Sequence, residues 1–272
     1  MSDAPKPLTD RPALLRSRRQ ARQQDMFLHA QAVGDVQDRL AMVNRTFKDP
    51  VIVSGHGAYW TRALGFGSVS DDDTLALEPG AHDLVIHAMS LHWANDPVGQ
   101  LIQCRRALRA DGLLLAVFPG GQTLHELRAT LAQAETRLRG GLSPRVLPMG
   151  DLRDYGALLQ RANFALPVAD SLDFKAEYDD LRSLHRDLKD MGETNALHAR
   201  ARACTAPRLF AQAETLHRAA FPGQTKALRI TYELIALTGW APDDSQQKPL
   251  RPGSAQKRLS EALGTDETSL LD

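Results

Sequence analysis

The chain is poor in cysteine, in long apolar runs and in charge of either excess sign. Cys104 and Cys204 are the only cysteines in 272 residues, a hundred positions apart. That gives neither a disulfide framework nor metal-ligand spacing, and a reducing compartment, the cytoplasm, is the expected location. No His, Cys and carboxylate set has zinc-like spacing, so no metal is expected. The longest apolar runs, such as Leu113 to Phe118, fall far short of the roughly 18 residues a membrane span needs. The first residues lack the apolar core of a signal peptide, so neither leader nor anchor is expected. The 33 Lys and Arg balance 33 Asp and Glu at a pI near 7.1. Without a global field of one sign, nothing here points to nucleic acid.

What is present reads as an α/β chain. Residues 1–12, with Pro5, Pro7 and Pro12, are expected to be loose, and a helical pattern runs from Ala13 to about Lys48 until Asp49-Pro50 ends it. Val51-Ile52-Val53 reads as a buried strand opening into the turn Ser54-Gly55-His56-Gly57. Asp83 to Met89 and Leu113 to Phe118 read as two more buried strands. The helix between them has Asp96 as N-cap and Pro97 at its first position, and is expected to end near Asp111-Gly112. Strand, helix and strand in that order make a parallel βαβ unit. Further helices are expected from Gln122 or Thr123 to Arg139, closed by Gly140-Gly141, and over 151–163. Leu166 to Tyr178 is expected to be extended. A helical stretch then runs from Asp179 to about Ala220, broken near Met191-Gly192 and Pro207, before a late strand from Thr225 to Thr238. The organisation is an N-terminal helical segment (1–48), a main domain (49–242) with a helical insertion (about 179–222), and a polar tail (243–272).

Several strings, in order along the chain, carry a resemblance. They are Ser90-Leu91-His92-Trp93-Ala94-Asn95-Asp96, Gly120-Gly121-Gln122-Thr123-Leu124-His125-Glu126-Leu127-Arg128, Gly140 to Arg145, and Met191-Gly192-Glu193-Thr194-Asn195. Gly239-Trp240-Ala241-Pro242, Ser245-Gln246, Pro252 to Ala255 and the arginine-rich segment from Asp10 to Arg22 belong with them. Together they resemble the methyltransferase-like assembly factors of respiratory complex I, a family related to S-adenosylmethionine methyltransferases that includes members described as arginine hydroxylases. The resemblance implies an abbreviated Rossmann-like sheet of the class I methyltransferase type, with its crevice at the C-terminal strand ends. It also implies a role in maturing a peripheral-arm subunit of NADH:quinone oxidoreductase. Relatives in the wider group methylate small acyl-carrier substrates.

The cofactor side departs from that family pattern. A working loop follows an acidic strand end with G-x-G-x-G, so that bare backbone approaches the cofactor. Here the acidic position is Val53 and the third glycine position is Tyr59, while Gly55 and Gly57 remain as the cofactor-binding candidates or as a plain tight turn. The intact fold also places two strands with their helices between this loop and the strand at Asp83. About 26 positions separate Gly57 from Asp83, and one βαβ unit takes roughly 30 residues or more. At least one strand-helix unit is therefore missing. Asp71-Asp72-Asp73 reads either as a substitute for the lost ribose-binding acid or as a solvated loop. S-adenosylmethionine is accordingly expected to bind weakly or not at all.

Chemistry is expected at strand ends that share one crevice. His92 is the candidate general base, because an imidazole titrates near neutrality; its bland alternative, like that of Trp93 and Asp96, is a structural role. Trp93, Asn95, Gln122, Thr123, Glu193, Asn195 and Trp240 are the substrate-binding candidates, with Met191 to Asn195 equally readable as a capped helix end. Arg16, Arg18, Arg19 and Arg22 suggest either an acidic partner or a solvated helix face. Two function classes stay open. One is a cofactor-impaired assembly or interaction factor for complex I; the other is an active methyltransferase or arginine-modifying enzyme with an abbreviated site.

Overall fold

The computed structural model describes residues 6–247; the string Pro252 to Ala255 and most of the polar tail lie outside the described residues. Contacts divide the chain into 1–242 and 243–272. In the second unit, Asp243 closes a short turn by accepting from the backbone and hydroxyl of Ser245.

The first unit is an α/β fold around one six-stranded sheet. Its strands are β1 (Pro50–Val53), β2 (Gly67–Val69), β3 (His82–Ala88), β4 (Leu108–Pro119), β5 (Ala165–Tyr178) and β6 (Leu228–Trp240). They lie in the order β2-β1-β3-β4-β6-β5, with the first four mutually parallel, β6 antiparallel to β4 and β5 antiparallel to β6. The expected adjacency of the strands at 51–53, 83–88 and 113–118 is thus observed. The chain leaves β1 toward β2 on one side and returns through β3 on the other, so the sheet reverses order at β1. In open α/β sheets that reversal leaves a crevice at the C-terminal strand ends, where ligands bind.

Alternation along the strands builds two cores. Ile52, Ile86, Leu113, Leu115 and Val117 face α2 (Phe27–Met42), α5 (His125–Arg139), α7 (Leu181–Asp190) and α8 (Pro207–Ala220). Val51, Val53, Val85, Leu114 and Ala116 face α4 (Pro97–Ala107) and α6 (Leu152–Arg161). A central strand covered on both faces has no use for polar alternation, which is why these segments read as continuous apolar runs. The helix ends are set by local chemistry. The Asp96 side chain accepts from Gly99 N at 2.8 Å with Pro97 at the first position, and Asp180 closes a capping box with Ser183. Gly140 ends α5 at φ +68, a left-handed conformation that costs glycine little.

Several expectations are corrected. The helical pattern over 13–48 is two helices, α1 (Arg11–Arg19) and α2, separated by a turn at Gln23–Asp25. The supposedly loose segment before α1 is fastened: Thr9 is buried, bridges to Leu197, and donates its hydroxyl to Trp93 O at 2.8 Å. The helix α4 stops at Ala107 because Leu108 is already extended and paired with His82. Gly57 begins α3 (Gly57–Leu64), so Tyr59 lies in a helix and not in a loop. Only α3 and β2 stand between the glycine turn and β3, where the intact fold was expected to place two strands with their helices.

Candidate functional site

Two neighbouring features occupy the C-terminal edge of the parallel strands. The first is the glycine turn after β1. A β-carbon built on Gly55 would lie 1.9 Å from Arg18 Nη1 and 2.2 Å from Arg18 Cζ, so the guanidinium lies against bare backbone. Arg18 Nη1 donates to both oxygens of Asp71 at 2.9 and 2.8 Å, and Arg11 reaches the same carboxylate at 3.2 and 3.3 Å. The Arg18 and Asp71 side chains are only 3% and 2% exposed. Burial alone would raise the Asp71 carboxyl, but the two arginines hold it well below the usual carboxylate range. Asp71 follows the end of β2, and its segment is fixed from behind by Gln100 Nε2, which donates to the Asp71 and Asp72 carbonyls. The solvated-loop reading of Asp71 is therefore overturned, as is the solvated-face reading of Arg18; Asp72 remains exposed. Arg18 Nε and Nη2 have no hydrogen-bond partner among the described residues.

The second feature is a cavity of about 360 Å³ beside this turn. Leu124, Leu131, Leu147, Leu184 and Tyr232 give it apolar walls, and Trp93, Thr123 and Glu193 line it as well. Glu193 follows Gly192, whose φ of +76 turns the chain at the end of α7. Met191 to Asn195 is thus a helix C-terminus that delivers a carboxylate to the cavity wall. Glu193 Oε2 accepts from Trp93 Nε1 at 2.7 Å and from His92 Nε2 at 3.2 Å, while the buried Oε1 has no partner among the described residues. Burial would raise the Glu193 carboxyl, but His92, Arg18 and the Trp93 bond hold it down to about 2. The carboxylate is ionised at neutral pH, and a buried charge with one oxygen unpaired favours a donor or a cation beside it. Behind Arg18 stand two neutral imidazoles. Burial pushes His29 well below its usual range and His56 down to about 4.

The structure gathers only part of the candidate set. Trp93, Thr123, Glu193 and Asn195 line the cavity, though Asn195 spends its amide on Pro144 O and Leu197 N. His92 is buried behind Glu193 and is not a wall residue, so the shared crevice expected for His92 and Gln122 is not found. Gln122 lies in a separate depression with Asp151 and Glu233, its backbone N donating to Glu233 Oε2. The Asn95 side chain accepts from Thr9 N and serves the N-terminal segment. Trp240 pairs with Leu113, midway along β4 and level with the beginning of β3, away from the crevice at Pro119, with Arg45 over its ring. That last misplacement has a simple cause: β6 runs antiparallel, so its C-terminal end lies where the parallel strands begin. Arg11, His29 and His56 were not among the sequence candidates: Arg11 and His56 fall in stretches noted for other reasons, the arginine-rich segment and the glycine turn, and His29 sits in α2 with no motif of its own.

The residues around the glycine turn do not fit S-adenosylmethionine as they stand. Val53 offers no carboxylate, Asp71 is engaged by two arginines, and the space against Gly55 holds a guanidinium. Among the described residues, no group of three or more His, Cys, Asp or Glu could hold a metal ion, and no helix is long and apolar enough to cross a membrane.

No family model matches the chain. A Dictyostelium discoideum protein named arginine-hydroxylase NDUFAF5, mitochondrial, is 38% identical over 196 residues, which are 72% of this chain and 45% of that protein. A Laribacter hongkongensis protein named malonyl-acyl-carrier-protein O-methyltransferase is 32% identical over 184 residues, 68% of this chain and 59% of that one. This chain spans about half the length of these relatives. Among solved structures, the YcgJ protein from Bacillus subtilis is 13% identical, covering 79% of this chain and 99% of that one at a TM-score of 0.48.

Proposed function

We propose that, over the stretch they share, this chain belongs to the family of the proteins named arginine-hydroxylase NDUFAF5, and that it is an assembly and interaction factor for NADH:quinone oxidoreductase with an impaired cofactor site. The observation that carries this reading is Glu193, a carboxylate in the wall of a largely apolar cavity with one oxygen unpaired among the described residues, while the two arginines of that wall, Arg145 and Arg200, are already paired with Glu135 and Asp10. Such a site suits a guest side chain with an apolar stem and a cationic head. An arginine of a peripheral-arm subunit has that shape, and a guanidinium matches a carboxylate through paired N–H donors. Trp93 and His92 hold the carboxylate in place, and His92 serves there as a positioning group for Glu193. The filled glycine turn supports the impaired-cofactor part of the reading. The compartment in this reading is the cytoplasm, in keeping with two unpaired thiols, Cys104 buried and Cys204 exposed.

The second reading, an active S-adenosylmethionine-dependent methyltransferase or arginine-modifying enzyme, draws on the O-methyltransferase named among the relatives. It requires Arg18 to leave the glycine turn before a cofactor enters. Affinity capture from cells that assemble the oxidoreductase tests the first reading. The wild-type chain should retain a peripheral-arm subunit and Glu193→Gln at least tenfold less of it. Capture of no such subunit by wild type, or equal capture by the variant, would count against the role given to Glu193.

A further inference from the structure

We infer that α1 is a built-in occupant of the sheet's ligand crevice, with the Arg18 guanidinium filling the space beside Gly55 that a bound cofactor would need. The inference rests on the impaired-cofactor reading and gives it a cause within the chain itself. The crevice at a sheet reversal is open by construction, because neighbouring strands leave it in opposite directions. Here α1 and the two residues before it bond or pack against the segments that follow β1, β2 and β3. Arg18 lies on the turn after β1 and pairs with Asp71 after β2. Thr9, just before α1, bonds the Trp93 carbonyl and the Asn95 side chain after β3. On the other side Ser17 Oγ meets Thr194 Oγ1 at 2.6 Å, Asp10 N donates to Ala196 O at 2.8 Å, and Asp10 accepts from Arg200 at 2.9 Å. Leu14, fully buried, packs with Trp93, Leu147 and Leu197.

The helix is seated between two glycines. A β-carbon on Gly55 would strike the guanidinium, and one on Gly192 would lie 3.0 Å from Arg18 Cα. Both positions are kept bare on the faces that receive α1. The arginine is at the same time imperfectly satisfied, since among the described residues Nε and Nη2 are buried without partners while Nη1 holds Asp71. A purely structural ion pair is expected to use the paired edge of the guanidinium. One that leaves that edge idle is held mainly by the fit of the helix, and a guanidinium so held can be displaced.

Calorimetric titration of the full chain with S-adenosylhomocysteine tests this, with amide exchange as a second readout. Wild type should bind no tighter than millimolar. Arg18→Ala, which empties the space, should bind at least tenfold tighter; Arg18→Met, which keeps the bulk without the charge, should bind as weakly as wild type. Gly55→Ala should expel the guanidinium and raise amide exchange across residues 11–19 at least tenfold, leaving 125–139 unchanged. This arm decides the matter if Arg18→Ala fails to fold by circular dichroism. No gain in a folded Arg18→Ala, or unchanged exchange in Gly55→Ala, overturns the plug and leaves the impaired-cofactor reading standing. Micromolar binding by wild type overturns both.

Discussion

Asp71 is buried and Glu193 is largely withdrawn from water in a cavity wall, and the surroundings of each carboxyl favour its charged form. For Asp71 the partner is Arg18, 53 positions away. No local pattern marks such a pair, and three adjacent aspartates read from sequence as a solvated loop; only the fold brings one of them under α1. Removing Asp71 strands a buried guanidinium, and breaking a buried pair from one side costs about 3 to 5 kcal/mol. Asp71→Asn is therefore expected to lower unfolding free energy in urea by about that much, and a loss below about 1 kcal/mol would contradict the burial described. The pH dependence follows from the same groups. Asp71, Glu193 and Glu135 all have carboxyls lowered in the folded state. Their contribution is fully present above the unfolded carboxylate range near pH 4 to 4.5, and is lost as pH falls toward 2. Urea midpoints measured between pH 6 and 2.5 should fall along this limb, less steeply in Asp71→Asn.

At the scale of elements, the strands were legible because β1, β3 and β4 are apolar on both faces and bounded by turn residues. Capped helices were legible for a related reason, since Asp96-Pro97 and Gly140 act locally and need no tertiary context. Replacing Asp96 by Ala should cost about 1 kcal/mol, within the 0.5 to 2 kcal/mol typical of an N-cap, and leave cavity binding unchanged. A loss of binding without a loss of stability would contradict this purely structural role for Asp96. Boundaries set by pairing were not legible. The pattern of α4 runs on past Ala107, yet Leu108 is drawn into the sheet by His82. The segment before α1 looked loose because proline is frequent there, and its anchors at Trp93, Asn95 and Ala196 lie more than eighty positions away.

At the scale of the molecule, the first unit is an abbreviated Rossmann-like fold in which one strand-helix unit fewer than expected separates the glycine turn from β3. That loss was readable as a length, because a βαβ unit has a minimum size. The cavity was not readable, since its walls come from α5, α7, β6 and the loop at 144–149, each apolar for reasons of core packing as much as of recognition. Glu193 distinguishes the two. A hydrogen bond to a charged group contributes about 1.5 to 3 kcal/mol, which is tenfold or more in affinity. The most direct test is calorimetric titration of the full chain with a blocked arginine peptide and its neutral isostere, the citrulline peptide. Wild type should bind the arginine peptide at least tenfold more tightly, with the difference abolished in Glu193→Gln; equal binding of the two peptides by wild type would contradict the account.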